Sequence, residues 1–267
     1  MTLRAMYSAA TGMRVNEFQL DTIANNLANA GTTAFKKSRS NFEDLFYEHL
    51  KIPGIADAGG QITGVGHSVG LGARVASTQV DHRQGSLLET KQPLDMVVFG
   101  QGFFKVDDST GNPLYTRAGN FTLNANGDVI LASSDRGRPL SPGISVPQGA
   151  KNISISSDGV MTALLPGATT PSEIGRITLT TFPNPQGLIQ VGENLFMESL
   201  ASGTATDGTP ALNGVGQVRQ GFLEASNVEP VREIVDLIKT QRNFEMNSQV
   251  VQAADQVLQL VANLRRF

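Results

Sequence analysis

Both ends of the chain carry an apolar repeat with the same 3.5-residue period, and about two hundred residues of different character lie between them. At the N-terminal end Leu3, Met6, Ala10, Met13, Glu17, Leu20, Ala24 and Leu27 alternate at spacings of three and four. At the C-terminal end Leu237, Thr240, Phe244, Asn247, Val251, Ala254, Leu258 and Val261 do the same. Seven of the first eight and six of the second eight are apolar, where a chain that is 40% hydrophobic gives about three by chance. A 3.5-residue period is that of a coiled-coil seam. Two such seams can pair with each other or with other copies, and the middle is then carried as a side domain. That arrangement points to self-assembly rather than catalysis.

The residues off the seam sharpen this expectation. Tyr7, Val15, Phe18 and Ile23 lie outside the first stripe, and Ile234, Ile238, Met246, Val250, Val257, Leu260 and Leu264 outside the second. A helix that is apolar on several sides expects cover on several sides. From Met246 to Leu264 the only charge is Asp255, and the polar positions are Asn, Ser and Gln. Amides with partners are buried at far lower cost than charges. Dense packing of helix on helix in an assembly therefore outweighs the simpler alternative, two amphipathic helices lying on the central domain.

The expected elements follow the chain. A helix runs over about 3–29 without proline, Gly12 being tolerated at modest cost, and Gly31 is the expected left-handed cap. Residues 35–50 read as a short helix or an extended segment, and 53–72, rich in glycine, as a long loop or ribbon. From Gly72 the signals turn to strand: 73–80, 96–99, 103–106, 114–117, 120–123, 128–131, 153–155, 160–163 and 177–182. Asn126-Gly127 and Asp158-Gly159 mark hairpins. Short strands at this spacing read as antiparallel meanders or a small barrel. Residues 201–217 read as loop, and a second long helix spans about 228–263 with Pro230 in its first turn. The fold class is α+β, with discontinuous terminal coiled-coil helices around a central antiparallel β-rich domain. The expected division is 1–30 with 228–267 as paired helices and 91–200 as the β-rich outer domain. Residues 31–90 and 201–227 form a connecting region with an insertion at about 42–74.

Little in the sequence speaks for chemistry. With no cysteine, disulfides and thiolate metal sites are excluded. His49, His67 and His82 are scattered without metal-ligand spacing, so neither metal nor cofactor is expected. Gly64-Val65-Gly66 and Gly70-Leu71-Gly72 lack the following helix that a phosphate loop requires. Asp107-Asp108 reads as a solvated turn, and no GxSxG elbow occurs. A net charge of −3 gives no reason to expect nucleic acid or an anionic membrane. No run approaches a membrane span, and the first residues lack the apolar core of a cleaved signal peptide.

Three groups of residues carry a resemblance. Ser8-Ala9-Ala10-Thr11-Gly12-Met13, followed by Ile23-Ala24-Asn25-Asn26-Leu27-Ala28-Asn29 and Phe35-Lys36-Lys37, closely resembles the N-terminal signature of bacterial flagellar axial proteins. Gly100-Gln101-Gly102-Phe103-Phe104 and Tyr115-Thr116-Arg117-Ala118-Gly119-Asn120-Phe121 resemble that family's central β region. Gly221-Phe222-Leu223-Glu224-Ala225-Ser226-Asn227-Val228 leads into its C-terminal helix, where Gln241-Arg242-Asn243-Phe244-Glu245 resembles the usual Q-R-x-[YF]-E. The likeness covers essentially the whole chain. Within the family it is nearest to members that build the distal part of the rod. Phe42-Glu43-Asp44-Leu45-Phe46-Tyr47 and the stretch to Arg74 resemble an insertion that hook subunits lack, and Gly192-Glu193-Asn194-Leu195-Phe196 resembles rod subunits. One departure is Ala34, where family members commonly carry Gly in T-x-G-[FY]-K; the local turn is expected to differ here.

The resemblance implies a structural subunit of the distal rod, with a proximal rod or hook subunit as the alternative. The terminal helices would form the inner tube of a helical homopolymer around a secretion channel, and the β domain a second layer. Leu3, Met6, Met13, Leu20, Leu27, Leu237, Phe244, Val251, Leu258 and Val261 are then the expected subunit contacts. Asn25, Asn26, Leu27, Asn29, Gly100, Gly102, Phe103 and Phe104 are the motif positions. The implied partners are the proximal rod and hook proteins, the P- and L-ring proteins, the rod cap and the flagellar type III export apparatus. The implied place spans the periplasm to the outer membrane, reached by export without signal cleavage.

Overall fold

The computed structural model describes residues 2–54, 64–108, 111–134 and 136–264, with side chains within the terminal helices from Arg4 to Asn263. The chain forms two compact units. One holds 1–28, 38–79 and 229–267; the other holds 29–37 and 80–228. These bounds differ from those read off the sequence. Residues 38–79, assigned there to a connecting region, belong with the helices, while 80–90 and 201–227 belong to the β-rich unit. The reason is pairing: Gln217–Gln220 is a strand partner of Met96–Phe99, and Phe222–Glu224 of Leu87–Glu89.

In the helical unit, helix α1 is Thr2–Ala28 and helix α2 is Pro230–Leu264. Pro230 opens α2, where its missing N–H costs nothing and its fixed φ suits the first turn. Among the described residues the two helices form the most extensive contact between elements, and no other element packs comparably on α2. The stripe of α2 turned to α1 is Leu237, Thr240, Phe244, Asn247, Val251, Ala254 and Leu258, with Thr240 and Ala254 fully buried. Here the frame is that of the sequence repeat.

In α1 the frame is shifted. Ala9, Val15, Asn16, Ile23 and Asn26 are buried, while Ala10, Glu17 and Ala24, expected in the seam, are exposed. Small residues set this register. A Cβ on Gly12 would stand 2.9 Å from the Asn247 amide nitrogen, so at Gly12 α2 lies too close to α1 for a side chain unless Asn247 moves. The stripe that counts most Met and Leu is not the stripe that allows close approach.

Residues 38–51 are extended. Ser38–Asp44 pairs with Ala73–Val80, and Tyr47–Lys51 pairs antiparallel with His67–Gly70 as a ribbon. Gly72, at φ 115°, lies so close to the Thr11 hydroxyl that no side chain fits there. That contact, with the Thr22–Ser40 hydroxyl pair at 2.9 Å, seats the segment on α1. Residues 55–63 of the insertion lie outside the described residues.

In the β-rich unit, a seven-stranded antiparallel sheet runs in the order 189–192, 195–197, 113–116, 103–107, 179–181 and 206–208, with 140–141 also on 103–107. It is an open path rather than a barrel. Both hairpin signals hold: 121–123 pairs with 129–131 across Asn126-Gly127, and 151–155 with 160–164 across Asp158-Gly159. The strand expected at 177–182 is shorter, Leu179–Thr181, and is preceded by a strand the sequence did not suggest, Ser172–Arg176, in a different sheet. Between them Ile177 is fully buried and its N–H bonds Gly159 O at 2.8 Å, which carries the chain across. The larger core gathers Met96, Phe104, Leu131, Leu140, Met161 and Leu179, and a smaller one Val80, Phe103, Tyr115, Phe182, Leu188 and Phe196.

Candidate functional site

Burial distinguishes the two units. Among the described residues the helical unit buries few apolar side chains: Ala9, Val15, Ile23 and Ala254. On its outside stand Tyr7 and Phe18 of α1 and Val231, Ile234, Val235, Ile238, Met246, Val250, Val257, Leu260 and Val261 of α2. Apolar residues at this density on a helix pair form a surface awaiting a partner rather than scattered surface hydrophobes. The ribbon adds Phe46, Tyr47, Leu50 and Ile52, all exposed.

The expected contact residues fall into two groups. Leu237, Phe244, Val251 and Leu258 are half-buried along the stripe facing α1 of the same chain, as Met6, Met13, Leu20 and Leu27 are half-buried on α1. Val261 is exposed, and the Leu3 side chain lies outside the described residues. The outward apolar residues of α2, among them Val250 and Val257, complete the surface that the seam count passed over.

The motif residues have a separate role. Asn26 meets the Ser38 backbone twice: its amide donates to Ser38 O and its carbonyl accepts from Ser38 N, both at 2.9 Å. Its amide also donates to Glu233 at 3.2 Å, tying α1 to the first turn of α2. Asn29 accepts from the Thr32 hydroxyl at 3.1 Å in the turn after α1, whereas Leu27 is half-buried and Asn25 exposed. In the β-rich unit Asn227 performs a similar bridging, accepting from Lys37 N at 2.8 Å and donating to Asp81 O at 2.7 Å.

The three motif segments converge on one buried charge cluster in the β-rich unit. Lys36 donates to Glu224 Oε1 at 2.5 Å and to Arg83 O at 2.7 Å, and the Lys36 and Glu224 side chains are both fully buried. Gly85 N donates to the same oxygen at 2.9 Å. Arg117 Nε stands 3.4 Å from Glu224 Oε2, and its other nitrogens donate to Gly102 O at 2.6 Å and Gly100 O at 2.7 Å. Gly100 and Gly102, both at positive φ, thus present carbonyls to a guanidinium. Burial pulls the Lys36 ammonium below its usual range, with Glu224 opposing. Phe103 lies beneath Arg117 at 5.7 Å, in the smaller core, and Phe104 packs in the larger one. The sequence reading quoted Lys36, Arg117 and Glu224 without singling them out. The signal was one charge inside each of the two β motifs, Arg117 and Glu224, beside the Lys36-Lys37 pair.

Ala34 corrects an expectation. Its turn keeps the left-handed conformation, at φ 58°, and Ala34 is buried with its N–H on Glu224 O at 2.7 Å. Gly31 does not take positive φ, so the left-handed residue after α1 is Ala34 and not the expected Gly31.

Beside the charge cluster lies His82. Its ring meets Phe103 edge-on at 5.6 Å and Phe196 at 5.2 Å, and its two nitrogens are shut off from solvent, with a weak approach to the Pro185 backbone that falls short of hydrogen-bond geometry. Burial, then Lys36 and Arg117, lower its pKa to about 4, against a weaker pull from Asp81 and the Pro185 carbonyl. A cavity of about 480 Å³, lined in part by Asp81, His82, Arg117 and Phe182, adjoins it.

The unpartnered helix pair at the two chain ends, carried with a β-rich unit braced by a buried ion cluster, defines a structural assembly subunit. Comparison with known proteins agrees. Residues 6–36 match the family described as flagella basal body rod protein, 97–163 the flagellar hook protein FlgE/F/G D1 domain, and 219–264 the flagellar basal body rod FlgEFG protein C-terminal. The flagellar basal-body rod protein FlgG of Agrobacterium fabrum is 39% identical over 97% of this chain and 98% of its own length. FlgG of Caulobacter vibrioides is 39% identical over 98% and 100%, and that of Bacillus subtilis 37% over 99% and 100%. The chain belongs to the flagellar basal-body rod protein family and is a structural subunit of the rod.

Proposed function

We propose that the chain builds the distal part of the rod, as a helical homopolymer that encloses the export channel and carries torque from motor to hook. The observation that carries this reading is the set of apolar residues that the α1–α2 pair leaves exposed, Ile234 and Ile238 on one flank of α2 and Val250 and Val257 on the other above all. A contact between different faces of successive copies does not close, and so generates a helical tube. The terminal helices form its inner layer and the β-rich unit the outer one. The ribbon of Tyr47–Lys51 on His67–Gly70, with Tyr47 and Leu50 exposed, favours the distal rod over a proximal rod or hook subunit, and adds contacts that resist bending. In this reading the subunit passes through the flagellar type III apparatus without cleavage. It assembles beneath the rod cap between proximal rod and hook, spans the periplasm to the outer membrane, and turns inside the P- and L-rings.

Expression of the chain in a bacterium lacking its own distal rod subunit tests this. Electron microscopy of the basal bodies is expected to show restored rods that reach the hook. Rods that stop at the proximal segment, with the chain present and folded, would contradict the proposal.

A further inference from the structure

The cation balance around His82 is uneven. Lys36 and Arg117 share one fully buried carboxylate, Glu224. Lys36 also holds the carbonyl of Arg83, the residue after His82, and Arg117 lies over the Phe103 ring that His82 touches. The remaining charges nearby are Asp81 and Arg83, which bind each other at 2.6 Å. Tyr115, its phenol pushed up to about 12 by burial, stays neutral in the same core. The adjoining cavity gives water and protons a route to this corner of the unit.

We propose that His82 is an acid-triggered release for the β-rich unit: neutral, its ring packs against the touching pair Phe103 and Phe196, and protonated, it adds a third cation to a cluster with one buried carboxylate, so that the smaller core opens. The depressed folded value fixes the sign. Between about 6.5 and about 4 the unfolded chain binds the proton and the folded unit does not. Stability is therefore full above the unfolded value and is lost as pH falls toward the folded one. The unfolding constant rises up to about tenfold per pH unit across that window.

The test uses the dilute full-length chain, wild type and His82→Phe, unfolded with urea at pH 7, 6, 5 and 4 and followed by tyrosine fluorescence. The wild-type midpoint is expected to fall steeply below pH 6, and His82→Phe, which keeps a ring without the proton site, to fall much less. Equal slopes in the two proteins would overturn the proposal. Should His82→Phe not fold, proton NMR of the wild type decides, since there are three histidines and His49 and His67 are exposed. The His82 resonance is expected to shift only as the native signals disappear. A His82 that titrates near 6.5 in an intact native state would overturn the proposal.

Discussion

Ala34 and Glu224 show how far single residues decide this fold. A left-handed conformation costs a non-glycine residue about 1–2 kcal/mol. Ala34→Gly removes that strain, but it also gives up a buried methyl, worth about 0.8 kcal/mol, and loosens the unfolded chain by about 0.4–1 kcal/mol. The terms nearly cancel, so Ala34→Gly is expected within about 0.5 kcal/mol of wild type in urea unfolding, although burial of Ala34 alone argues for a loss. Ala34→Val adds a branched side chain at φ 58° in a closed space and is expected to lose about 2 kcal/mol or more. A tolerated valine would show that the turn is not left-handed. Glu224 answers two cations. Glu224→Gln leaves both buried without it and is expected to destabilise the β-rich unit by about 3–5 kcal/mol, read as a lower urea midpoint. A loss below about 1 kcal/mol would mean that water reaches the cluster.

At the scale of elements, the helix pair is the less stable part. Both buried apolar clusters lie in the β-rich unit, and two helices with open outer faces gain little from packing in a single chain. Amide exchange in dilute protein is expected to be fast along 2–28 and 230–264 and slow along 96–106. Equal protection of the two in a verified monomer would contradict this. These elements were also the most legible in the sequence, since a long 3.5-residue period survives any local ambiguity. The α2 frame was readable because its seam carries Leu, Phe and Val. The α1 frame was not, because burial of Ala9 and close approach at Gly12 depend on what small residues leave out. The hairpins at Asn126-Gly127 and Asp158-Gly159 were readable from turn chemistry. The pairing of 217–224 with 87–99 was not, because short strands far apart in sequence carry no mark of their partners. The charge cluster was half legible: its residues stood in the motifs, but only the fold shows that they meet.

At the scale of the whole molecule, the account rests on surfaces that a single chain leaves open. The ribbon is one of them. Replacing Phe46, Leu50 and Ile52 with serine is expected to leave the β-rich unit folded and rods able to form, but with greater curvature in electron micrographs; rods as straight as wild type would remove the stiffening role. The outer face of α2 is the other, and it tests the central claim most directly. Val250 and Val257 stand one heptad apart on α2, each nearly half exposed in the single chain. Burying an unpaired lysine there costs several kcal/mol, roughly, and the cost recurs in every copy of a polymer. Electron microscopy of concentrated Val257→Lys beside wild type, with melting of both measured in dilute solution, separates assembly from folding. The expected result is an unchanged melting temperature with no rods from the variant under conditions where wild type forms them. Normal rods from a folded Val257→Lys chain would contradict the assignment of this helix face to subunit contact.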